Sequence, residues 1–89
     1  MINEEVARAN WENLANAIVL SAVRDFRTEY KRYLKNPKSR DAASEVASLI
    51  RFFTSDYYKA LTSVDGEFLV RKLKEEVEEK LNAEKGRSS

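Results

Sequence analysis

Apolar positions in the first third of the chain recur at three- and four-residue steps. Trp11, Leu14/Ala15, Ile18, Ala22, Phe26, Tyr30 and Tyr33/Leu34 keep to one side of a helical projection. Asn3 is placed to cap this helix, with Glu4 and Glu5 in a first turn where the helix dipole favours acids. Nothing interrupts the pattern until Asn36-Pro37, where the residue before proline is pushed out of helical geometry. The spacing predicts one helix over residues 4–35, about 48 Å long at 1.5 Å per residue. That is nearly three times an ordinary helix, and the rest of the chain is too short to cover all of it.

After the "NPKSRD" link, Ser39 is a cap and Asp41 a first-turn acid. Ala42/Ala43, Val46/Ala47, Leu49/Ile50 and Phe53 form the stripe of a helix over 40–53. Ser55 caps a short corner helix over 56–61, and "TSVDG" ends it. Asp65 then caps a last helix over 66–82, in which Leu69, Leu73, Val77 and Leu81 step by four. Such a stripe drifts round a straight helix and makes a broad packing face, not a coiled-coil seam. The fold class is all-α, a single domain over 1–83 followed by a frayed tail over 84–89. Phe52, Phe53, Tyr57, Tyr58, Leu61, Val64 and Phe68 form the expected knot where the shorter helices meet the long one.

Composition narrows the chemistry. The 89 residues contain no Cys and no His. Disulfides, thiolate or imidazole catalysis and nearly all zinc sites are thereby excluded. Asp65-Gly66-Glu67 hints at a calcium loop, but Gly66 at the sixth loop position puts Leu61 at the first, where a carboxylate is required. No glycine-rich phosphate loop exists, and no motif sets a nucleophile beside a base, so the expectation is a protein without enzymatic activity, cofactor or metal. The acid-bearing N-terminus does not read as a signal peptide, and the longest apolar run, Ala17 to Leu20, cannot cross a bilayer. The expected location is the cytoplasm, with no membrane partner.

Net charge is +1 overall but uneven: one base and three acids in residues 1–23, nine bases and five acids in 24–59. With Phe26 taken as the core direction, Arg24, Arg27, Lys31 and Lys35 fall about 100–180° away, a basic stripe that Lys38 and Arg40 extend over the link. It is a candidate surface for phosphates or an acidic partner, weighed against the routine alternative of a solvated helix face. Tyr30, Tyr33, Tyr57 and Tyr58 are candidate interface aromatics. A helix-turn-helix drawn through 40–61 fails, because its second helix is too short and lacks bases or amides to read base edges. In the last helix, Arg71, Lys72 and Lys74 precede Glu75, Glu76, Glu78 and Glu79, against the macrodipole. That order is read as fraying past about residue 80, or as an acidic patch for a basic partner.

One stretch carries a resemblance. Phe52-Phe53, Ser55-Asp56, Tyr57-Tyr58, Leu61-Thr62, Asp65-Gly66-Glu67, Leu69, Leu73 and Glu75-Glu76-Val77 resemble a pattern in small uncharacterised proteins encoded by prophages and integrative elements of Gram-positive bacteria. "NAIVLSAVRDFR" and "KNPKSRDA" are similar too, so the likeness spans most of 11–77. It implies a mobile element's accessory gene and no particular activity. The expected function is binding to another macromolecule, a host or mobile-element protein or a second copy along the exposed half of the long helix. The alternative is a nucleic-acid-binding regulator that uses the basic stripe.

Overall fold

The computed structural model describes residues 4–87, with side chains from 10 to 86; the proposed Asn3 cap, the side chains of Glu4 and Glu5, and Ser88-Ser89 lie outside the described residues. Four helices follow in order: α1 Glu4–Lys35, α2 Arg40–Phe53, α3 Asp56–Leu61 and α4 Gly66–Arg87. No strand occurs among the described residues. The bounds of α1, α2 and α3 are those the spacing predicts. α4 runs five residues past the predicted end at 82, through Gly86 to Arg87.

Each break is held by the expected side chain. Ser39 Oγ accepts from Ala42 N–H at 3.3 Å, and Ser55 Oγ accepts from Tyr58 N–H at 3.1 Å. Asp65 Oδ1 accepts from Glu67 and Phe68 N–H at 2.9 and 3.2 Å. These bonds satisfy amide groups that a helix start leaves without intrahelical partners. Thr54 closes α2, its Oγ1 donating to Ile50 O at 2.9 Å.

α2 runs back along α1 and α4 turns again, so α4 lies parallel to α1. Arg27 meets Glu76, and Lys31 meets Glu84 further along both helices. The shared core contains Val23, Phe26, Tyr30, Val46, Phe53, Tyr58, Val70, Leu73, Val77 and Leu81, with Phe26, Phe53 and Tyr58 almost fully enclosed. Their rings meet edge-on, Phe26–Phe53 at 6.2 Å and Phe53–Tyr58 at 5.6 Å between centroids. Gly66 is where α4 enters this corner. A Cβ there would overlap the Phe53 carbonyl and press on the Tyr58 ring, so only glycine allows the approach.

The expected knot is only partly the core. Phe53, Tyr58 and Leu61 are buried and Phe52 partly so, whereas Tyr57, Val64 and Phe68 are about half exposed. The reason is geometric. Phe68 follows the Asp65 cap on the side of α4 opposite Leu73 and Val77, where Arg71 and Lys72 stand over its ring at 5.4 and 5.6 Å. Val64 sits in the loop, and Tyr57 lies on the outer side of a six-residue helix whose inner side is taken by Tyr58 and Leu61.

The molecule measures 61 × 26 × 20 Å. Its length comes from α1, because the core cluster and the side chains packed on it begin only at Val19 and Ala22. No described helix is long and apolar enough to cross a membrane.

Candidate docking surface

From Asn10 to Ser21, α1 buries a single side chain, Ala15; Ile18 and Val19 are half-buried and the rest are exposed. The exposed set is mixed, with large apolar side chains among Asn10, Glu12, Asn13, Asn16 and Ser21. Trp11, Leu14 and Leu20 show 49%, 55% and 59% of their surface. Trp11, Leu14 and Ile18 stand at i, i+3 and i+7, one continuous stripe. Leu20, six residues from Leu14, points about 120° away from it. Asn13 to Val23 is also the longest run of the chain without a charge, in a sequence that is 35% charged. Large apolar side chains on more than one side interrupt the polar face that a surface helix normally presents to water. Depletion of charge around large apolar side chains is also what distinguishes the centre of an interface from ordinary surface.

The basic stripe does not form one open face. Arg27 Nε donates to Glu76 Oε2 at 2.8 Å, and Lys31 Nζ to Glu84 Oε1 at 3.1 Å. These two bases line the seam with α4, where the single-reference projection had put them opposite the core. That projection fails because α1 has two neighbours: α2 and α4 flank it on different sides, and the α4 flank is the one Arg27 points to. The Arg27 bond holds the Glu76 carboxyl below its ordinary value; burial opposes this in part, and the nearby charges of Arg27 and Lys80 add to the lowering. Arg24, Lys35, Lys38 and Arg40 are exposed and have no ion pair among the described residues. Of the acids of α4, Glu76 and Glu84 meet bases of α1 and Glu75 meets Lys72, and the helix runs on to Arg87.

The four tyrosines separate in the same way. Tyr30 is 8% and Tyr58 1% exposed, so both belong to the core and present no surface to a partner. Tyr30 stacks on Phe26 at 5.4 Å and lies under the Lys74 ammonium at 5.8 Å. Burial raises its phenol above the ordinary value, helped by Glu78 and Tyr33. Tyr58 is raised by burial and by Asp65, and its hydroxyl has no hydrogen-bond partner. Tyr33 is half-buried and Tyr57 exposed, which leaves these two as accessible aromatics.

Grooves open elsewhere on the surface, one of about 220 Å³ along the Arg27–Glu76 seam and two larger. One, of about 540 Å³, opens between the C-terminal ends of α1 and α4, with Leu34 and Leu81 among its lining and Lys35, Glu78 and Glu84 of mixed sign around them. The other, about 440 Å³, lies over the α3–α4 turn beside Tyr58 and Gly66. Among the described residues no group of acids is arranged to hold a metal ion. Sequence reasoning recognised the uncovered length of α1 but set Trp11 and Leu14 on the apolar stripe of the helix, where they are about half exposed, and assigned no role to Leu20. The signal that marks them is the uncharged run around them. In comparisons with known proteins, no family model, no curated protein and no solved structure matches this chain.

Proposed function

We propose that this is a small non-enzymatic binding protein whose docking surface is the uncovered N-terminal half of α1. The carrying observation is the exposure of Leu14 and Leu20 within the longest uncharged run of the chain, with Trp11 exposed just ahead of it. An isolated helical segment of this kind is marginal in water, and covering its apolar side chains supplies the missing stabilisation. The partner class is protein, since a stripe of Trp, Leu and Ile beside asparagines offers nothing to phosphates. A mobile-element setting, an accessory gene of a prophage or integrative element, rests on the resemblance across residues 11–77 alone. The alternative of nucleic-acid binding is weakened by the pairing of Arg27 and Lys31 with α4, which leaves Arg24, Lys35, Lys38 and Arg40 to carry it.

Affinity capture from cells with the wild-type chain, with Leu14→Glu, and with Arg51→Glu as a remote control tests this reading. A protein, or an untagged copy of the chain, that is recovered by the wild type and the control but lost with Leu14→Glu supports it. An identical set of captured proteins from all three would overturn it.

A further inference from the structure

The charge layout of α1 specifies an occupant for this surface. Residues 4–12 carry three acids and one base, a net −2; residues 13–23 carry no charge; residues 24–35 carry five bases and two acids, a net +3. The helix is therefore a charged rod with opposite ends and a neutral apolar middle centred on Ile18. A parallel pair of such helices sets like on like at both ends. An antiparallel pair about Ile18 sets residues 4–12, net −2, against residues 24–32, net +2, twice over, and at the two-fold axis it brings together no charge at all. Arg24 is the base of that second segment that has no ion pair within its own copy among the described residues. A two-fold interface is closed, so it covers the stripe on both copies without leading to a filament.

We infer that the protein self-associates as an antiparallel dimer through the Trp11–Leu14–Ile18 stripe of α1, with the two-fold axis near Ile18. The inference rests on the docking surface proposed above and adds the identity and orientation of its occupant. In this register Ile18 meets Ile18, and Trp11 of one copy faces Asp25 of the other. Asp25 is exposed, has no ion pair among the described residues, and its carboxylate accepts from the indole N–H. Arg24, one of the bases left without an ion pair, then lies near the acidic end of the second copy. The second copy extends the bundle along the part of α1 that α2, α3 and α4 do not cover.

The absence of cysteine makes a direct test clean. Single Ile18→Cys and Leu14→Cys variants of the full chain are oxidised under identical conditions. Across an antiparallel pair, Cys at 18 approaches its copy within disulfide reach, while Cys at 14 lies about 12 Å further along the axis. Cross-linking at least about tenfold faster at position 18 is expected. Equal rates, or a faster reaction at 14, would mean another orientation and overturn the inference. Because either change trims the stripe, sedimentation equilibrium of the unmodified chain and of charge variants accompanies it. The wild type should dimerise, more weakly as salt rises. Glu5→Lys/Glu12→Lys and Arg24→Glu/Arg32→Glu should each weaken the dimer several-fold, and an equimolar mixture should recover it. A wild type that stays monomeric up to roughly millimolar concentration overturns self-association. The capture experiment would then still decide the docking surface itself, because it would or would not return a different protein.

Discussion

Arg27 and Glu76 join the first and last helices by a forked contact, Nε to Oε2 at 2.8 Å and Nη2 to Oε1 at 3.4 Å, 49 residues apart in sequence. Both side chains remain partly open to water, 48% and 36% exposed, so the pair is a modest contributor. Glu76→Ala should lower stability by less than about 1 kcal/mol, as exposed ion pairs do. The exchange Arg27→Glu/Glu76→Arg should recover part of that loss in urea unfolding. A loss of several kcal/mol from the single change would mean that the pair organises the α1–α4 packing.

The same pair predicts an acid dependence with a definite sign. The carboxyl of Glu76 is held below its ordinary value of 4.5 in the folded chain, first by the Arg27 hydrogen bond. Its contribution is therefore fully present above the unfolded value and lost as pH falls through the lower, folded one. The stability difference between wild type and Glu76→Gln should shrink as pH drops below about 4.5. A difference that grows on acidification contradicts the pairing.

Alkaline unfolding should involve the core tyrosines. Tyr30 and Tyr58 are both raised above 10.0, chiefly by burial. The stability this neutral burial contributes is intact below the unfolded value and lost as pH rises through the folded ones. Tyrosinate absorbance should show a phase above pH 10 that coincides with loss of helical circular dichroism and is reduced in Tyr58→Phe.

Tyr58 and Gly66 make a contrasting pair at the corner. The Tyr58 hydroxyl is buried without a partner, so Tyr58→Phe should be neutral or stabilising by up to about 1–2 kcal/mol. Gly66→Ala drives a methyl into the Phe53 carbonyl and should cost about 1–3 kcal/mol or more. Thermal unfolding of the two variants checks both directions at once.

The helix boundaries were legible because their causes are local. Ser39, Ser55 and Asp65 are polar caps at the three starts, and Pro37 stops α1, so short-range chemistry alone placed α1, α2 and α3. The end of α4 was not legible, because the unfavourable order of its charges is relieved by Arg27 and Lys31 on a helix far away in sequence. Residue type also could not say which aromatics turn inward. Tyr57 and Tyr58 are adjacent and alike, yet one is 55% and the other 1% exposed, because neighbours in a helix point about 100° apart and only one side faces Phe53. The basic stripe misled for a related reason: a projection from Phe26 shows where the core centre lies, but not that a second helix flanks α1 beside Arg27. The proposed docking surface was half legible, since the excess length of α1 was plain and the exposure of Leu14 and Leu20 was not.

The most direct test of the uncovered half of α1 is amide hydrogen exchange followed residue by residue along that helix, in dilute and in concentrated protein. Residues 10–18 should exchange much faster than 22–35 when dilute, since few buried side chains hold them, and should gain protection when the surface is occupied. Protection of 10–18 equal to that of 22–35 at the lowest concentration, and unchanged at the highest, would contradict the account, because that half of the helix would then need no partner.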